Sequence, residues 1–146
     1  MHNIKQMRIL LFTILLAGLS ANAQELTCAD FKDGTFITPA SEEVPLDYRI
    51  IRNGNSQVEI TEDPDGILPS DFQKEQFVLI EWVDDCSYRS KYDEEKMDMS
   101  EFHQLVNDNG GILTEMVKIE DGCFFYKSSL TINGKTEYLE GKMCVE

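Results

Sequence analysis

The sequence predicts a mainly β domain: an antiparallel meander of about eight strands curled into a barrel or half-barrel, with one short helix near residues 99–107. Three observations carry this expectation. Short runs rich in β-branched and aromatic residues alternate with turn signals along most of the chain. Two dipeptides, Asp121-Gly122 and Asn133-Gly134, are of the kind that closes two-residue type I′ hairpins. The registers imposed by those two turns agree on one apolar sheet face.

The first 23 residues stand apart from this pattern. Lys5 and Arg8 precede the apolar run Ile9 to Leu19, broken only by Thr13 and Gly18, and Ser20-Ala21-Asn22-Ala23 follows. A charged start, an apolar stretch and an A-x-A site in that order read as a cleaved secretion signal, with cleavage near Ala23. Eleven helical residues rise roughly 16 Å, about half a bilayer core, so no stable membrane insertion is expected. Glu25-Leu26-Thr27 before Cys28 lacks the small residues of a lipidation site. Residues 24–146 are then one domain, secreted or periplasmic. The leader takes two of the 13 basic residues and none of the 27 acidic ones, leaving a net charge of −16. Such a balance repels phosphate backbones, and no nucleic-acid partner is expected. The carboxylates are scattered along the chain, as solubility requires.

Strand runs follow in order. Gly34 to Thr38 stops at Pro39, Tyr48 to Ile51 meets Asn53-Gly54-Asn55, and Gln57 to Thr61 stops at Asp63-Pro64-Asp65-Gly66. Phe77 to Val83, Tyr88 to Tyr92, Ile112 to Ile119, Phe124 to Ile132 and Thr136 to Cys144 complete the set. The helix between them starts at Asp98, with Glu101 three residues on. It carries Met99, Phe102, Leu105 and Val106 at helical spacing and ends at Asn109-Gly110-Gly111. Two turns of helix are not stable alone, so its apolar side must cover an open face or end of the sheet.

The two hairpins fix the C-terminal third. Across Asp121-Gly122, Ile119 faces Phe124, Val117 faces Tyr126 and Leu113 faces Leu130. Across Asn133-Gly134, Phe124 faces Met143 and Ser128 faces Leu139. The second register also sets Cys123 against Cys144 as a non-hydrogen-bonded pair, with α-carbons roughly 4.5 Å apart, within disulfide range. The even count of four cysteines reads as two disulfides in an oxidising compartment. Cys123–Cys144 is the preferred bridge, which leaves Cys28 with Cys86. Val117, Tyr126, Leu139 and Met143, with Phe102 from the helix, are the residues expected to be core or ligand-facing.

No constellation carries catalysis, and no catalytic residue, cofactor or metal is assigned. Paired cysteines have no thiolate. His103, the one histidine past the leader, follows core-facing Phe102 and is expected to be solvated. One histidine builds no three-histidine zinc site. A calcium loop begun at Thr61 puts Phe72 where the bidentate glutamate belongs, so Asp63 to Gly66 reads as a turn. Asp84-Asp85 and Asp93-Glu94-Glu95 are acidic loops. They suit glycosidase chemistry only if one carboxyl is buried enough to keep its proton.

Two segments resemble small secreted bacterial proteins of uncharacterised function: Cys28-Ala29-Asp30-Phe31-Lys32-Asp33-Gly34-Thr35-Phe36, as C-x-x-F-K-x-G-x-F, and Trp82 to Tyr88, as W-x-x-x-C-x-Y. The resemblance covers roughly residues 28 to 92. It implies a lipocalin-like β-fold and a Cys28–Cys86 bridge, and no activity. The expected function is a non-catalytic binding module for a small hydrophobic ligand. The alternatives are an acidic envelope or extracellular protein that binds a protein partner and, more remotely, a hydrolase using paired carboxylates. A cavity lined by Val117, Tyr126, Leu139 and Met143 favours the first; a helix filling that space with Phe102 and Leu105 favours the second.

Overall fold

The structure is a computed structural model that describes residues 24–146; the leader, with its expected cleavage near Ala23, lies outside the described residues. A 3-10 helix, Cys28–Phe31, leads into β1 (Gly34–Thr38), β2 (Tyr48–Asn53), β3 (Ser56–Thr61), β4 (Glu75–Trp82) and β5 (Ser87–Tyr92). Helix α1 (Glu101–Asp108) follows, and then β6 (Ile112–Glu120), β7 (Cys123–Ile132) and β8 (Lys135–Val145). Each strand pairs antiparallel with the next, and β8 returns to β1, so the meander closes into an eight-stranded barrel. The expected strands, the helix and the barrel are all present. Among the described residues no helix is long and apolar enough to cross a membrane.

Both type I′ turns form, with positive φ at Asp121 and Gly122 and at Asn133 and Gly134. The β7–β8 register runs without a break from Ile132 and Lys135 to Cys123 and Cys144, and the Cys123–Cys144 bridge forms with α-carbons 3.9 Å apart. Cys28 and Cys86 form the other bridge. The β6–β7 register departs from expectation. Beyond Lys118 and Phe125 a bulge at Val117 shifts the pairing, so Met116, not Val117, faces Tyr126, and Leu113 faces Ser129. One extra residue inverts the face of everything before it. Thr114 and Met116 therefore turn inward, and Val117 is 63% exposed.

Helix α1 is also rotated from the expected setting. Ser100, not Asp98, is its N-cap, accepting the His103 backbone N–H at 3.2 Å. The His103 Nδ1 accepts the Ser100 N–H in return. His103 and Val106 then face inward, while Phe102 is 54% exposed and Leu105 is also exposed. His103 is thus buried where a solvated position was expected, its ring 4.2 Å from that of Tyr92. Burial lowers its pKa, consistent with a neutral ring whose Nδ1 is an acceptor. Asn107 ties the helix to β5, accepting the Tyr92 N–H and donating to the Tyr92 carbonyl.

One end of the barrel is packed shut. The 3-10 helix inserts Phe31, fully buried, against Phe36 and Phe124, with ring centroids 5.4 and 5.3 Å away. Ile50, Met143 and Cys28 complete the cluster. Thr27 and Asp30 anchor that helix, the Asp30 carboxylate accepting the Thr27 N–H at 2.7 Å.

Candidate functional site

Above this floor the interior turns polar. Strand period places Gln57 and Glu59 on one face of β3, and the hairpin register sets Arg52 opposite Gln57. All three point into the barrel. The Arg52 guanidinium donates from Nε to the Gln57 Oε1 at 2.5 Å and from Nη1 to the Phe31 carbonyl at 2.8 Å. It stacks on Tyr88, 4.4 Å from the ring centroid, and lies 5.7 Å from that of Trp82. Gln57 passes the contact on, donating from Nε2 to the Glu59 Oε1 at 2.7 Å. Arg52 is 3% exposed and Gln57 5% exposed, so the relay is anchored in the floor.

Glu59 sits at the upper end of the relay, half-buried on the wall of the interior space. Burial raises its pKa above the ordinary glutamate value, against the pull of Gln57 and Arg52. The Tyr126 hydroxyl is pushed up to about 12, first by burial and then by Tyr88 and Glu59 nearby. Tyr92 is driven higher still by burial and by Glu59. Across the barrel the Thr114 and Ser128 hydroxyls pair at 2.9 Å.

Arg52, Gln57, Glu59, Tyr126, Thr114 and Ser128 border a cavity of about 310 Å³, within the roughly 300–1,000 Å³ of ordinary small-molecule sites. Ile50, Ile112, Leu130 and Met143 give it apolar walls. A second opening of about 500 Å³ adjoins it and shares Thr38, Ile50, Glu59, Tyr126 and Leu139. The reason for that opening lies in the seam. β1 meets β8 only at Phe36 with Val145 and Ile37 with Cys144, and Pro39, with no N–H to donate, ends β1. The stretch of β8 from Leu139 to Lys142 then faces the 39–44 segment across a gap. Gly141 lets the tip of Tyr126 lie across β8, because a Cβ there would stand 2.6 Å from the tyrosine hydroxyl.

Of the residues singled out by sequence, Tyr126, Leu139 and Met143 come together on this cavity. Val117 does not, because the bulge turns it to solvent, and Phe102 does not, because α1 presents His103 and Val106 instead. No residue of α1 borders the cavity, so the helix leaves it unfilled. Sequence reasoning missed Arg52, Gln57 and Glu59. The Asn53-Gly54-Asn55 hairpin could have placed Arg52 opposite Gln57, but alternating polar residues on a strand read as a solvated face.

The acidic loops stand elsewhere. Asp84 accepts the Cys86 N–H at the β4–β5 turn, and that bond holds its carboxyl below the usual range. Asp85 is fully exposed, 3.9 Å from Lys32. Both side chains are exposed. Asp63 closes its own turn, accepting the N–H groups of Ile67 and Leu68. Among the described residues no group of three His, Cys, Asp or Glu side chains is placed to hold a metal ion. Comparison with known proteins returns no matching family model, no matching curated protein and no matching solved structure.

Proposed function

We propose that this chain is an exported, non-catalytic binding protein that holds one small, largely hydrophobic ligand inside its barrel. The observation that carries the reading is the cavity bordered by Tyr126, Leu139 and Met143, closed below by the Phe31 cluster and open beside the short β1–β8 seam. A closed, eight-stranded up-and-down barrel with ligand-sized space inside it is the arrangement of lipocalins, which supports a lipocalin-like assignment. Export is supported by the leader sequence and by two disulfides that leave no free cysteine among the described residues. The ligand enters through the gap between the 39–44 segment and β8, where no backbone pairing has to break.

Native mass spectrometry of the protein purified from its own host tests the reading. The expected spectrum shows one small-molecule adduct per chain, released on denaturation. A bare chain that also fails to brighten N-phenyl-1-naphthylamine would overturn it and favour a protein partner on the acidic exterior.

A further inference from the structure

Resting on the binding reading above, we propose that the ligand carries a protonated amine on an apolar body, and that Glu59 is its counter-ion inside the barrel. Among the described residues Glu59 alone borders the main cavity, the side opening and the small recess beside Tyr92. Its Oε1 is occupied by Gln57. Its Oε2 has no donor among the described residues and is not sealed off, since the one sealed side-chain polar atom lacking a partner is the Arg52 Nη2. A free acceptor therefore faces the empty space.

The competing anchor for an anionic head is Arg52, the one cation on the wall of the main cavity. It is already committed to Gln57, to the Phe31 carbonyl and to the Tyr88 ring, and its free nitrogen is shut away from the cavity. An entering carboxylate would meet Glu59 and, at the rim, Glu137. An ammonium meets the opposite conditions. Tyr126 borders the same space and Tyr48 borders the side opening, two aromatic rings not taken up by Arg52 that stand beside the carboxylate. Burial makes an unpaired Glu59 carboxylate costly, and an ammonium supplies the missing charge and up to three donors. The net charge of −16 beyond the leader draws cations toward the barrel from a distance.

Octylamine, octanol and octanoate share one tail and differ only in the head, so calorimetric titration of the three at neutral pH isolates it. The expected order is octylamine, octanol, octanoate, with the amine ahead of the alcohol by roughly tenfold or more, the range of a charge-assisted hydrogen bond. Glu59→Gln is expected to erase that lead and leave octanol affinity unchanged. Tyr126→Leu is expected to weaken the amine more than the alcohol. Octanoate binding tightest, or an amine no better than the alcohol, would overturn the assignment of the head while leaving the cavity as a ligand site. Failure of all three to bind would overturn the binding reading itself. If Glu59→Gln does not fold, as judged by its melting curve, the order of the three ligands on the unaltered protein and on Tyr126→Leu still decides.

Discussion

The two ends of this barrel are built by opposite rules. At the closed end the side chains are large, apolar and in contact. Phe31, Phe36 and Phe124 interlock, and both disulfides lie there. At the open end the inward positions mix short or polar residues, Thr38, Glu59, Thr114 and Ser128 among them, with the apolar walls of Ile112 and Leu130, around unfilled space. The difference belongs to the side chains that face inward and to the short β1–β8 seam, which leaves the open end a gap in its wall. Stability is concentrated at one end and room at the other, which lets the open end carry a site without loosening the fold.

Truncation should separate the two ends most sharply. Phe31→Ala removes a ring with no exposed surface and is expected to cost about 3–5 kcal/mol in urea unfolding. Leu130→Ala removes a half-buried cavity-wall side chain and is expected to cost about 1 kcal/mol or less. Equal losses would mean that the open end is packed as tightly as the floor. Replacing the cysteine pairs by serine comes next. In the chain-entropy model the Cys28–Cys86 bridge, with its separation of 58 residues, is worth about 4 kcal/mol; Cys123–Cys144, with 21, is worth about 3. The first double replacement should lower the melting temperature more than the second.

Glu59 sharpens the comparison through pH. Its native pKa is raised by burial above the ordinary value of 4.5, so the native state holds this proton longer than the unfolded chain does. The stability linked to Glu59 is full below 4.5 and is lost as the pH rises through the native value. Glu59→Gln has no such proton to lose. It should therefore gain on the unaltered protein as unfolding is measured at successive pH values from 4 to 7. A difference that does not change with pH would place Glu59 in water. The smallest effect is expected at Val117, outside both ends: Val117→Ser at the exposed bulge should stay within about 0.5 kcal/mol. A loss of several kcal/mol would mean that Val117 is packed after all.

The sequence made the closed end legible and the open end largely not. Asn133-Gly134 fixed ten consecutive pairs because nothing interrupts that hairpin, and the Cys123–Cys144 bridge followed from the count. Asp121-Gly122 carried the same information only as far as Lys118, because the bulge at Val117 has no mark in composition. The count across that turn therefore assigns Leu113 and Val117 to the face that Thr114 and Met116 occupy. At the helix, two residues able to cap, Asp98 and Ser100, stand two positions apart with Met99 between them. Choosing the first exchanges Phe102 for His103 on the inward side. Glu59 escaped because barrel closure makes an interior of a face that, on an open sheet, would be wet.

The claim that the open half is a ligand cavity is tested most directly by filling it. Ser128 faces inward opposite Leu139, and Thr131, three residues along the same strand, faces out beside Thr136. Ser128→Trp and Thr131→Trp add the same side chain to opposite sides of β7, and N-phenyl-1-naphthylamine fluorescence reads the outcome. The account predicts saturable binding to the unaltered protein and to Thr131→Trp, and none to a folded Ser128→Trp. Equal binding by both variants would contradict it.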